Sequence, residues 1–318
     1  IEVLLEIIEL DYVNLSTEIK EQAIEKIHTI HCNALNMGNI QVPIECLLKL
    51  SEITKSTKLA DSEIKKNINE ECTILECTLS SYKKEINIKN LSMLSAFARS
   101  NSLYTEEKNK AAEMICSTYS KILKKIGEKH GDYFEVSNKQ DKQYIEESLD
   151  RLLDIAESYL ANNEIRKTVI EKASDIYKIG DVRLIDKCLE AFLRIATASE
   201  NIEIIRKKAV EGIQNIYYNT NSLYGESGQE KFIKCQVISM CLDKLLRIVD
   251  SNPKSDKIMT DVIRGICDIC RNDFENLDEQ SVIKSLEIFL EVVKSNSKNN
   301  NMTTAAIEGI CDICRNDF

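Results

Sequence analysis

The sequence predicts an all-α fold, a right-handed superhelix of seven stacked two-helix units. Three observations carry this. The ten residues GICDICRNDF stand at Gly265–Phe274 and again at Gly309–Phe318, 44 residues on (265 to 309). An identical block at that period points to repeated helical hairpins. Second, four apolar positions at helical spacing recur along the chain. Third, breakers are scarce: two prolines and nine glycines in 318 residues, with no strand-like alternation.

The recurring column belongs to the second helix of each unit. Its copies are Ile19, Ala23, Ile27 and Ile30; Ile165, Val169, Ala173 and Ile176; Ile205, Ala209, Ile213 and Ile216; Ile258, Val262, Ile266 and Ile269; and Met302, Ala306, Ile310 and Ile313. Two degenerate copies are Ile64, Ile68, Cys72 and Leu75, then Glu107, Ala111, Ile115 and Thr118. Each such helix follows another apolar one, whose leucine column reads Leu4, Leu47, Leu91, Leu149, Leu189, Leu242 and Leu286.

In chain order the units are 1–32, 43–79, 86–125, 144–178, 183–218, 232–272 and 279–318, a single domain. Pro43 suits the start of a helix. Two insertions break the rhythm, at 126–143 and 219–231. Both follow a second helix and precede a first one, so a stacked array places them on one edge. Insertions in repeat proteins commonly map to one face, often the binding face. Each carries aromatics in a polar setting: Tyr133 and Phe134 in one, Tyr224 in the other. The plainer alternative is a surface insertion whose aromatic tucks back onto the repeats.

The unit LIDKCLEAFLRIATASENIEIIRKKAVEGIQNIYY (184–218) resembles a HEAT repeat. There a leucine-rich outer helix leads through a short turn to an inner helix of the form (V/I)R-x-x-A-x-x-x-(L/I). That form stands here as Ile205-Arg206, Ala209 and Ile213; Ile165-Arg166 and Ile19-Lys20 begin the same way. Residues 197–204 lack the family's turn aspartate, and an armadillo-like array is the alternative. The resemblance implies a scaffold or adaptor, not an enzyme, presenting its inner helices to a protein or peptide. Arg166, Arg206, Lys207 and Arg264 would line that surface beside the insertions.

Composition bears on the competing classes. The formal net charge is −10 with acids and bases interleaved, whereas nucleic-acid binders usually show a one-signed basic stripe. A HEAT-like nucleic-acid-binding or base-repair protein is therefore an alternative that needs such a stripe. No apolar run reaches the ~18–20 residues that span a bilayer. Twelve cysteines fall mostly in helical columns, which suits buried free thiols in a reducing, cytoplasmic setting.

A cysteine-based metal- or redox-responsive protein is the other alternative. CDIC occurs twice, at Cys267/Cys270 and Cys311/Cys314. Equivalent positions on stacked helices point the same way, about 10 Å apart, and cannot share a zinc with ~2.3 Å bonds. His28 and His31 lack further ligands at suitable spacing, and Gly225–Gly228 lacks the Lys-Ser/Thr of a phosphate loop. No catalytic, cofactor or metal residues are expected. Finally, Ile1–Leu10 and the helix with Ile307, Ile310, Ile313 and Cys314 are too apolar for terminal caps. That predicts a segment of a longer array, or self-association through the terminal units.

Overall fold

The computed structural model describes residues 105–130, 139–159, 161–225, 228–251, 255–295 and 300–316, together with 22–27, 29, 30, 34, 46, 94, 95, 98 and 99. The units predicted at 1–32 and 43–79 and the first helix (86–99) of the unit predicted at 86–125, His28 and His31 included, lie largely or wholly outside these residues, as do Tyr133 and Phe134. The chain divides into two compact units. One is Ile1–Thr118 with Leu160–Asn162; the other is Tyr119–Tyr159 with Asn163–Phe318. In the first, the column residues Ala23, Ile27, Ala111 and Ile115 are buried.

Every regular element among the described residues is helical, and none is a strand. Helix α1 spans Thr105–His130 and α2 Lys139–Glu157. Helix α3, Asn163–Ser174, runs into a 3-10 turn at Asp175–Ile179. Next come α4 (Val182–Thr197) and α5 (Glu203–Leu223). Then follow α6 (Gly228–Asp250) and α7 (Asp256–Asp273), with a 3-10 turn at Phe274–Asn276. Helices α8 (Glu279–Lys294) and α9 (Asn300–Asn316) close the second unit.

Packing in that unit follows one rule. Each helix touches its hairpin partner (α2 with α3, α4 with α5, α6 with α7, α8 with α9) and its equivalent in the next hairpin. Thus α2, α4, α6 and α8 form one row, and α3, α5, α7 and α9 the other. The columns explain the rule. Val169, Ala173, Ala209, Ile213, Val262 and Ile266 are fully buried, as are Leu149, Leu189 and Leu242. Each Ile or Leu so buried is worth ~1.5–3 kcal/mol.

Sequence-visible signals also start the helices. Asp181 caps α4, its carboxylate accepting from the Leu184 N–H; Asp278 caps α8 by accepting from the Ser281 N–H at 2.8 Å. Such caps satisfy donors that the first helical turn leaves without partners.

A second column had no counterpart in the sequence reading. Gly212, Gly265 and Gly309 occupy equivalent places on α5, α7 and α9. A Cβ on Gly212 would lie 2.6 Å from the Phe192 ring, and one on Gly309 2.5 Å from the Phe289 ring; on Gly265 it would lie 3.0 Å from Leu245. The large side chain of each outer helix therefore seats against a bare stretch of inner-helix backbone.

The predicted insertions are shorter than expected. Helix α1 continues to His130 and α2 starts at Lys139, so both ends of 126–143 are helical. Helix α5 continues to Leu223 and α6 starts at Gly228, leaving 224–227 of the predicted 219–231. The polar run Asn219–Asn221 stays helical because both asparagines find partners. The Asn219 amide donates to the Asn215 carbonyl at 2.7 Å, and the Asn221 amide donates to the Asp273 carboxylate at 2.9 Å.

Candidate partner-binding surface

An arginine in the first turn of an inner helix holds its hairpin together. The Arg206 Nε donates to the Ala196 carbonyl at 2.8 Å, and the Arg166 Nε donates to the Ala156 carbonyl at 2.9 Å. Both bonds reach back ten residues, to the last turn of the outer helix. Carbonyls there have no intrahelical donor, and a cation also suits the negative end of the helix dipole. The arginine that carries the HEAT resemblance is thus a helix C-terminal clamp.

Arg166 goes further. It is only 2% exposed, its other nitrogen donates to the Asn201 side-chain oxygen, and its guanidinium lies 5.6 Å from the centre of the Tyr159 ring. Asn201 in turn donates to the Ile195 carbonyl at 3.0 Å. Burial lowers the Arg166 pKa from its ordinary value, because all its partners are neutral. Arg166 is therefore internal and not offered to a partner, while Arg206 is half-buried.

Lys207 and Arg264 do face outward. Lys207 pairs with Asp261 of α7 at 3.3 Å, and its side chain remains 43% exposed. Arg264 is exposed beside a surface hollow of about 260 Å³, lined also by Asp268, Arg271, Asn301 and Glu308. Other charges on this row cross between helices. Lys208 of α5 approaches Glu171 of α3 at 3.6 Å, and Arg271 of α7 meets Asp312 of α9 at 2.7 Å. The Tyr218 hydroxyl donates to the Asp268 carboxylate; burial, then that carboxylate, raises the phenol's pKa. The row offers both signs of charge in alternation, with a half-exposed Tyr218.

Tyr224 sits elsewhere than the sequence suggested. It is 7% exposed, and its hydroxyl donates to the Tyr177 carbonyl at 2.6 Å. The same carbonyl accepts from the N–H of Gly180, which holds φ at 61°. A side chain there would be strained by that φ and would crowd the Tyr224 hydroxyl at 3.0 Å. The aromatic thus locks the end of α5 onto the turn after α3, the plainer of the two readings given above.

The outer row differs in kind. Glu146 of α2 meets Arg183 of α4 at 2.8 Å, Asp150 meets Lys187, and Glu157 meets Arg194 at 2.6 Å. Glu190 of α4 meets Lys244 and Arg247 of α6 at 2.8 and 2.7 Å, and Asp250 of α6 meets Lys284 of α8 at 2.7 Å. In each of these pairs the acid lies on the earlier helix and the base on the later one. Apart from that of the buried Lys244, these pairs are partly exposed and worth ~0–1 kcal/mol each, so their main effect is to fix register.

Cys188, Cys241, Cys267 and Cys270 are buried free thiols. Burial raises all four pKa values, Cys267 to about 12 and Cys270 to about 11. Cys311 and Cys314, expected to be buried like the other column cysteines, are exposed. Among the described residues no three His, Cys, Asp or Glu side chains are grouped to hold a metal ion. No helix among them is long and apolar enough to cross a membrane. No protein-family model matches the chain, and no curated protein matches it.

Proposed function

We propose that the chain is a non-enzymatic scaffold or adaptor, an α-solenoid of the HEAT-repeat or armadillo-like kind with seven units in a right-handed superhelix. It works in the cytoplasm and binds a protein or peptide on its inner-helix row. The observation that carries this reading is the alternating charge of that row, with Lys207, Arg264 and Tyr218 at its surface. A peptide of mixed charge matches such a row, whereas a nucleic-acid backbone calls for one sign throughout. Tyr133 and Phe134, which lie outside the described residues, are the proposed aromatic anchors for the same partner.

The test uses a photo-crosslinking residue placed at Arg264 in one variant and at Lys187, on the outer row, in another. Each is exposed to native lysate. The scaffold reading requires one discrete protein adduct at 264 and none at 187. Equal labelling at both positions, or nucleic acid in the adduct at 264, overturns it.

A further inference from the structure

The first copy of the repeated decapeptide ends in Arg271-Asn272-Asp273-Phe274, and these residues wall a hollow of about 450 Å³. Asn221, Lys234, Glu275 and Asn276 complete the wall. The hollow thus lies at the helix ends, where the last turn of α5, the first turns of α6 and the 3-10 turn after α7 meet.

Asp273 is the unusual group in it. It is 3% exposed, and the Tyr217 hydroxyl and the Asn221 amide both donate to the same carboxylate oxygen, at 2.7 and 2.9 Å. Both donors are neutral. Among the described residues no lysine or arginine pairs with Asp273, and its other oxygen accepts nothing. A carboxylate buried without a cation is costly. Asp273 also ends α7, where backbone carbonyls lack intrahelical donors. Both features favour an ammonium group arriving from the hollow.

The same wall carries the opposite charge. Lys234 is 5% exposed. It has a partner of its own, but an ammonium carries several N–H donors and can meet an anion as well. Asn276 accepts from the Cys235 thiol at 3.2 Å through its side-chain oxygen, which leaves its NH2 group as a donor. Arg271 is taken up by Asp312 of α9 at 2.7 Å.

We propose that this hollow binds a free α-amino acid as its zwitterion. The α-ammonium sits on the open oxygen of Asp273, and the α-carboxylate on Lys234 and the Asn276 amide. Tyr217 and Asn221 hold the Asp273 carboxylate from behind, so the receptor for the ammonium is formed in advance. A zwitterion adds no net charge to a wall that presents one buried group of each sign. Asn272 and Glu275 stand exposed at the rim, which suits a small polar side chain. This site is separate from the inner-row surface and does not depend on the scaffold reading.

The test is a set of thermal melts of the whole chain with glycine and the common L-amino acids, one at a time at millimolar concentration. Calorimetric titration follows for any that stabilise. At least one should raise the melting temperature and bind saturably, one to one. Asp273→Asn and Asn276→Asp, both nearly isosteric, should each weaken that binding about tenfold, the scale of a lost charge-assisted hydrogen bond. Ligand-free melts show whether each variant is folded. Propionate and ethylamine, with one charge each, should not stabilise the chain. Nor should the N-acetyl derivative of the bound amino acid, which tests the ammonium contact without altering the protein.

The proposal is overturned if no amino acid stabilises the chain. It is equally overturned by binding that both folded variants retain in full, or that propionate, ethylamine or the N-acetyl derivative reproduces.

Discussion

Residues Gly265–Arg271 of α7 and Gly309–Arg315 of α9 share one sequence in two environments. In α7 the cysteines are buried beneath the next inner helix, and Arg271 pairs across the gap; in α9 the same cysteines are exposed and Arg315 turns to its own helix. Helix propensity and amphipathicity are identical for the two copies. What differs is the neighbour. In a stacked array burial belongs to the contact between units, and a unit's own sequence only makes it available.

Large-to-small substitution draws the widest contrast between them. Ile263→Ala in α7 removes a fully buried side chain and should cost ~2–5 kcal/mol. Ile307→Ala in α9 removes one that is 47% exposed and should cost less than ~1 kcal/mol. Urea titration of both variants measures this. Equal costs would mean that the open face of α9 is covered in solution.

The clamps offer a smaller contrast of the same kind. Arg166→Met breaks a buried network with Ala156, Asn201 and Tyr159 and leaves the Asn201 oxygen without its donor, a loss of ~2–3 kcal/mol. Arg206→Met breaks the equivalent bond at a half-buried site, a loss of ~1 kcal/mol. If the two variants melt alike, the buried network adds nothing to the shared bond.

The outer ladder should give the smallest effect, and one that depends on pH. The hydrogen bond from Lys244 leads in lowering the Glu190 pKa below its ordinary 4.5, against the opposing effect of burial. A depressed carboxylate contributes stability above its unfolded pKa and loses it as pH falls through the folded value. Lys244 is buried but Glu190 is 32% exposed, and solvent screening at the carboxylate holds the effect to ~1 kcal/mol. The stability gap between wild type and Glu190→Gln should be constant near neutrality and close below pH 4.5. A gap that persists at pH 2 would show that Glu190 acts through packing.

Much of the helix order was legible because apolar columns at a 3.6-residue spacing are local information. The spans of α4, α7 and α8 needed only a residue or so of adjustment. The misread residues depend on contacts distant in sequence. Arg166 looks like a surface cation on a helical wheel, but its side chain runs back to Ala156 and on to Asn201, 35 residues away. Tyr224 looks like a loop aromatic, yet its hydroxyl finds the Tyr177 carbonyl 47 residues earlier. Asn221 and Asp273 lengthen α5 through a bond between units. The Gly212, Gly265 and Gly309 column could have been found: each glycine opens the step to an isoleucine of the repeating column, and a helix keeps such a glycine only when something presses close.

Native-state thiol labelling tests most directly whether the same residues are covered in α7 and open in α9. A brief pulse of a maleimide at neutral pH is followed by unfolding, counter-labelling with a heavier maleimide, trypsin digestion and mass spectrometry. Trypsin separates the copies, because Arg264 precedes the first decapeptide while the second lies on a longer peptide beginning after Lys298. The account predicts native labelling at Cys311 and Cys314 and protection of Cys267 and Cys270 until the chain unfolds. Equal native labelling of the two copies would contradict it.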